Sequence, residues 1–259
     1  MKRPLFQEEI GGFLFQEYKE FKPDTPSYLV LGFPDAGLVG SITVSYMVKS
    51  LGMEEVAGID SKRYFPPATI VIDGNPRPPV RVFRKDNVYT LVSEIPLPPQ
   101  AFYSLAEMLT YWVRLRGFTF VVSVTGIGVP NRFQINKPKL YWMATDEQGE
   151  ELASKTGADK FVNGIIAGPY SLILKESISR RISNVLLLAE SFLDFPDPEA
   201  ASVVIEGLNK MIGLNMNVDD LLKEAEMIKL KMKELMRTTK DTMMKMGKGL
   251  EYQSPIIYS

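Results

Sequence analysis

Apolar and polar positions divide the chain into short apolar runs ending at glycine and longer stretches with helical spacing. Tyr28-Leu29-Val30-Leu31 is an apolar run of strand length that stops at Gly32. Leu38, Ile42 and Tyr46 then recur at helical spacing up to Gly52, and Val56-Ala57-Gly58-Ile59 follows as a second strand. Strand, loop, helix, strand is the α/β unit. Residues 61–79 are proline-rich and predict an irregular connection. Residues 80–83 and 88–92 alternate around Lys85-Asp86-Asn87, whose residue types suit the turn of a hairpin. Ala101 to Arg116 predicts a helix stopped by Gly117, and residues 118–124 a β-branched strand running into a second glycine-rich end, Thr125-Gly126-Ile127-Gly128. Further strands are expected at 140–144 and 185–189. Helices are expected after Asp146 as N-cap, from Pro169 to about Arg181, and from Asp197-Pro198 to Gly213, with Asp as cap and Pro at the first helical position.

Residues 218–246 have a different pattern. Asn217 can cap, and Asp219 and Asp220 suit the positive end of a helix dipole. Leu221, Ala225, Ile228, Met232 and Leu235 step 4-3-4-3, a heptad seam with a Lys- and Glu-rich outer face. Such a seam packs on the chain's own core or joins subunits, and the pattern fits both. After Gly247 and Gly249 the sequence continues as Leu-Glu-Tyr-Gln-Ser-Pro-Ile-Ile-Tyr-Ser. The expected organisation is therefore an α/β core domain over 1–214 with a mixed sheet flanked by helices. A long C-terminal helix follows over 215–246, then a flexible tail over 247–259.

Composition narrows the chemistry. The chain has no Cys and no His, which removes disulfides, thiolate nucleophiles, Ser-His-Asp catalysis and His- or Cys-based metal sites. A net charge of −1 gives no basic field for nucleic acid or an anionic membrane. No apolar stretch approaches the roughly 20 residues of a membrane span. The first residues lack the apolar core of a signal peptide, so a cytoplasmic protein is expected. No metal and no cofactor are expected.

Two glycine-rich strand ends are candidate ligand loops. The first holds Gly32, Asp35 and Gly37; the second holds Gly126, Gly128 and Asn131. Glu94 and Arg132 could join them, because ligands of open α/β sheets bind at the carboxyl ends of strands. The glycine spacing around 32–40 is neither GxGxxG nor a P-loop, so a tight structural turn is the competing reading. Glu190 and Asp194, four apart, are a possible carboxylate pair. Arg63, Tyr64, Phe65 and Arg77 are possible contact residues in the proline-rich loop.

Five segments in order carry a resemblance: Leu31-Gly32-Phe33-Pro34-Asp35-Ala36-Gly37-Leu38-Val39-Gly40, Thr125-Gly126-Ile127-Gly128, Asn163-Gly164-Ile165-Ile166-Ala167-Gly168, Leu186-Leu187-Leu188-Ala189-Glu190 and Asp197-Pro198-Glu199-Ala200-Ala201. Together they resemble the proteasome-assembly-chaperone family, and more closely its archaeal homologues. The resemblance implies a core related in fold to purine nucleoside phosphorylases, homo-oligomers, and proteasome α-subunits as partners. It does not imply phosphorylase chemistry. Ile257-Tyr258-Ser259 resembles the hydrophobic-tyrosine-any-residue ending of proteasome activators. Ile257 would fill an apolar groove, Tyr258 add a rigid amphipathic surface, and the Ser259 carboxylate pair with a Lys. The expected function is a homo-oligomeric, non-enzymatic assembly chaperone or activator that docks this tail on the α-ring. The alternatives are a nucleotide- or nucleoside-using enzyme at the glycine loops, or an oligomer whose tail docks on itself.

Overall fold

The computed structural model describes residues 4–246 and 251–253. The strands are β1 (Phe6–Ile10), β2 (Phe13–Glu17), β3 (Tyr28–Gly32), β4 (Glu54–Asp60), β5 (Ile70–Ile72), β6 (Asn75–Arg77), β7 (Val80–Lys85), β8 (Val88–Ser93), β9 (Phe120–Gly128), β10 (Leu140–Ala144), β11 (Asp159–Lys160), β12 (Gly164–Ile165), β13 (Ser183–Ser191) and β14 (Tyr252–Gln253). The helices are α1 (Val39–Leu51), α2 (Phe102–Arg116), α3 (Glu147–Ser154), α4 (Pro169–Arg180), α5 (Pro198–Ile212), α6 (Val218–Lys223) and α7 (Ala225–Met246).

Ten strands form one mixed sheet in the order β1-β2-β4-β7-β8-β3-β9-β13-β10-β11. Its centre is parallel: β3 pairs with β8 and β9, and β9 with β13. The β7–β8 hairpin and the β10–β13 pairing are antiparallel. The central strands are buried on both faces, as their unbroken apolar runs require. Alternate side chains serve opposite layers. Leu29, Leu31, Val121, Leu186 and Leu188 join one core, which extends to Trp112 of α2 and Tyr170 of α4. Val30, Val122, Val124, Val185 and Leu187 join the other, beneath α1, α3 and α5.

The helix starts follow their caps. Asp146 accepts from the Gly149 amide at 2.8 Å and Asp197 from the Ala200 amide at 3.0 Å. Asn217 accepts from the Asp219 amide at 3.0 Å.

Three features differ from the sequence expectation. The N-terminal residues form the β1–β2 hairpin, which adds two strands to the sheet edge and buries Phe13 and Phe15. The proline-rich 61–79 stretch contains the small β5–β6 hairpin. The continuous helix expected over 218–246 is interrupted at Glu224, whose backbone sits at φ −88°, ψ 2°, so α6 and α7 are separate. Among the described residues no helix is long and apolar enough to cross a membrane.

Candidate functional site

The carboxyl ends of β3, β8, β9 and β13 lie along one edge of the sheet, and the loops leaving them would line a ligand crevice in an open α/β fold. The chain folds its own helix there. α7 packs against the turn 36–38 that follows β3 and against the turn 99–101 that starts α2. Met236, Thr239 and Met243 are buried on its inner side. One flank of α7 faces Pro66, Ile95 and Pro96 through Leu235. The other faces the segments 132–136 and 192–196.

Beneath α7 the glycine loops are packed against neighbouring backbone. A Cβ on Gly40 would stand 2.5 Å from the Val124 carbonyl oxygen, and one on Gly126 would stand 2.5 Å from the Ala36 carbonyl oxygen. These glycines let α1 and the turn 36–38 approach β9 more closely than any side chain permits. Gly32 and Gly128 are similarly enclosed, by Val44 and Leu193. Gly37 is buried, and its carbonyl accepts from the Asp197 amide at 2.8 Å, which ties the loop after β3 to the loop after β13.

Asp35 is fully buried and accepts from the Thr125 hydroxyl at 2.8 Å. Tyr170, also fully buried, donates to the Val124 carbonyl at 2.8 Å and accepts from the Phe33 amide at 2.8 Å. Burial, reinforced by the nearby Asp35 charge, pushes its phenol well above the ordinary range.

The polar residues expected to converge take separate partners. Glu94 pairs with Arg81. Asn131 is exposed. Arg132 is buried and holds Asp197 through two bonds of 2.7 and 2.9 Å, Glu199 at 2.8 Å and the Ile135 carbonyl at 2.7 Å. Burial opposes its charge, but the carboxylates of Asp197 and Glu199 outweigh that and raise the guanidinium above its usual value. Glu190 and Asp194 do not share a helix. Glu190, in β13, accepts from the Lys139 amide at 2.9 Å and the Tyr141 hydroxyl at 3.3 Å, whereas Asp194 pairs with Lys240 at 2.6 Å. Arg63 lies over Tyr64, Phe65 is buried in the core, and Arg77 approaches Glu55 at 3.5 Å. Among the described residues no cluster of Asp and Glu is arranged to hold a metal ion.

The heptad residues face inward along α6 and α7. Leu221 is fully buried, and Ile228, Met232 and Leu235 pack in part against the α1/α5 core, with Ala225 half-buried. Ile257, Tyr258 and Ser259 lie outside the described residues. The segment before them is placed: Glu251 accepts from the Ala167 amide at 2.8 Å, and β14 pairs antiparallel with β12.

One surface escaped the sequence reading. A groove of about 880 Å³ opens between α7 and the segments 132–136 and 192–196. Its walls carry Phe133, Phe192 and Phe195 opposite Lys233, Arg237 and Lys240. The 4-4-3 spacing of Lys229, Lys233, Arg237 and Lys240 was visible in the sequence, but the phenylalanines come from two other segments.

Residues 29–236 match the PAC2 family. The uncharacterized protein MJ0106 of Methanocaldococcus jannaschii is 31% identical over 87% of this chain and 92% of its own length. The fold matches the crystal structure of Pyrococcus furiosus PbaA, an archaeal homolog of proteasome-assembly chaperone, with a TM-score of 0.80 and 29% identity. That match covers 88% of this chain and 98% of PbaA. Pyrococcus furiosus PbaB, an archaeal proteasome activator, shares the fold with a TM-score of 0.72 and 17% identity over 87% of this chain and 99% of its own. With the family match spanning β3 to the middle of α7, this chain belongs to the PAC2 family.

Proposed function

We propose that this protein is a non-enzymatic, homo-oligomeric partner of the proteasome that acts in assembly or activation and docks Ile257-Tyr258-Ser259 on the α-subunits. The observation that carries the reading is the match to PbaA, which extends over nearly the whole of both chains. The packing of the glycine loops supports a binding role over an enzymatic one, since α7 occupies the edge where an α/β enzyme would keep its substrate. A single tail of three contact residues binds weakly. Several tails on one oligomer gain affinity through effective concentration once the first has docked.

The test is binding of the full chain to purified proteasome α-rings from the same organism, by surface plasmon resonance, against a chain ending at Pro255 and a Tyr258→Ala variant. Both changes should abolish binding while light scattering shows an unchanged oligomer. Undiminished binding by either variant refutes tail docking. A change of oligomer mass on truncation would instead favour a tail that locks the oligomer.

A further inference from the structure

The groove beside α7 is a built surface with two unlike walls. On one wall Phe133 and Phe192 lie 4.6 Å apart and Phe192 and Phe195 6.2 Å apart, forming one aromatic cluster. Phe133 is 83% exposed and Phe195 57%. Two neighbouring phenylalanines left this far in water mark a contact surface. On the other wall Lys229, Lys233, Arg237 and Lys240 form a stripe along one side of α7, spanning about 16 Å at the rise of an α-helix.

The charge on the groove's lining is one-sided. Its two carboxylates, Asp194 and Glu199, are engaged by Lys240 and Arg132. Among the described residues Lys229 and Arg237 pair only with Glu226 and Glu234 three positions earlier on the helix, which do not line the groove. Such exposed pairs hold weakly and exchange readily for a better carboxylate. Lys233 has no carboxylate partner among the described residues.

We propose that this groove docks an acidic peptide segment of a partner protein, one bearing leucine or phenylalanine along its other edge. The spread of the cations selects a peptide over an anionic lipid or metabolite, whose single head group would need them gathered at one point. The phenylalanines pack on one another rather than standing apart at base-stacking intervals, which disfavours a nucleic acid. A helical or extended segment with carboxylates on one side and apolar side chains on the other satisfies both walls at once. The proposal does not rest on the proteasome reading.

The test is selection of random dodecapeptides displayed on phage against the full-length protein, followed by fluorescence anisotropy on the synthesised winners. The variants are Lys233→Glu/Arg237→Glu and Phe133→Ser/Phe195→Ser. All four positions are exposed, so both variants should keep the parent's melting temperature. The winners should combine acidic and apolar residues, bind either variant about tenfold or more weakly, and lose affinity as salt rises. Failure to enrich any peptide, winners without acidic residues, or equal binding by both variants would overturn the proposal. Tighter groove binding by oligouridylate or by oleate would reassign it to nucleic acid or lipid. A loss of oligomer mass in the variants would reassign it to a second copy of the chain, and stronger peptide binding after truncation at Gln253 to the chain's own tail.

Discussion

Replacing Arg132 by alanine should destabilise the fold through the group left behind. Arg132 and Asp197 have side chains only 2% and 1% exposed. The guanidinium donates twice to Asp197 and once each to Glu199 and the Ile135 carbonyl, and lies 5.1 Å over the Phe192 ring. Without it, Asp197 keeps the amides of Ala200 at 3.0 Å and Phe192 at 3.1 Å but has no counter-charge. Removing one partner of a buried ion pair costs about 3–5 kcal/mol. The two surviving amide bonds put this site at the lower end, about 3 kcal/mol, or a fall in Tm of about 6–12 °C for a chain of this size. Urea unfolding at fixed protein concentration, followed by the fluorescence of Trp112 and Trp142, measures it. An Asp197→Asn partner variant closes a double-mutant cycle. The double variant should lose less than the sum of the singles, because the second change removes the stranded charge. A loss below about 1 kcal/mol, or additive losses, would show that the pair does not hold these loops.

Two further outcomes follow from the packing and the titrations. Gly40→Ala forces a methyl against the Val124 carbonyl and should cost about 1–3 kcal/mol in the same assay, whereas Gly52→Ala meets no atom within 4 Å and should cost only the strain of its positive φ. Burial and then the Glu190 carboxylate push the Tyr141 phenol up to about 12, so the folded chain holds this proton to higher pH than the unfolded chain does. Its contribution is fully present below about pH 10 and is lost as pH rises towards 12. Tyr141→Phe should therefore lose less stability than the parent between pH 9.5 and 11.5, measured by urea midpoints.

The α/β core was legible because its signals are local. Val185-Leu186-Leu187-Leu188-Ala189 is a short apolar run of strand length and forms a strand buried on both faces, and Asp197-Pro198 states both the cap and the first turn of α5. The β1–β2 hairpin was missed because Phe13 and Phe15 alternate over only five residues, and their burial depends on β4 arriving from later in the chain. The break at Glu224 was hidden for a related reason. The heptad spacing runs through it unbroken, since Leu221 before the interruption and Ile228, Met232 and Leu235 after it pack on the same core. At the strand ends the glycine spacing located tightly packed loops but not what they admit. Spacing alone cannot separate a glycine that admits a phosphate from one that admits a neighbouring carbonyl, and at Gly40 and Gly126 the neighbour is the carbonyl.

That distinction bears on where function can reside in this molecule. A doubly covered parallel sheet has one edge at which loops are free to vary, and here it is closed by Met236, Thr239 and Met243 of α7. With that end covered, the exposed chemistry lies along the flank of α7 and on the loops beside it. The cation stripe and the phenylalanine cluster face each other there, and the phenylalanine side depends on one buried anchor. Arg132 fixes the loop that carries Phe133, and Asp197 receives both the Arg132 guanidinium and the amide of Phe192. An Arg132→Ala chain should therefore lose peptide binding at the groove at temperatures where it is still folded, while a tail held by β14 against β12, far along the chain from Arg132, should still reach its partner. Loss of both activities together would mean that the groove and the tail are not independent surfaces.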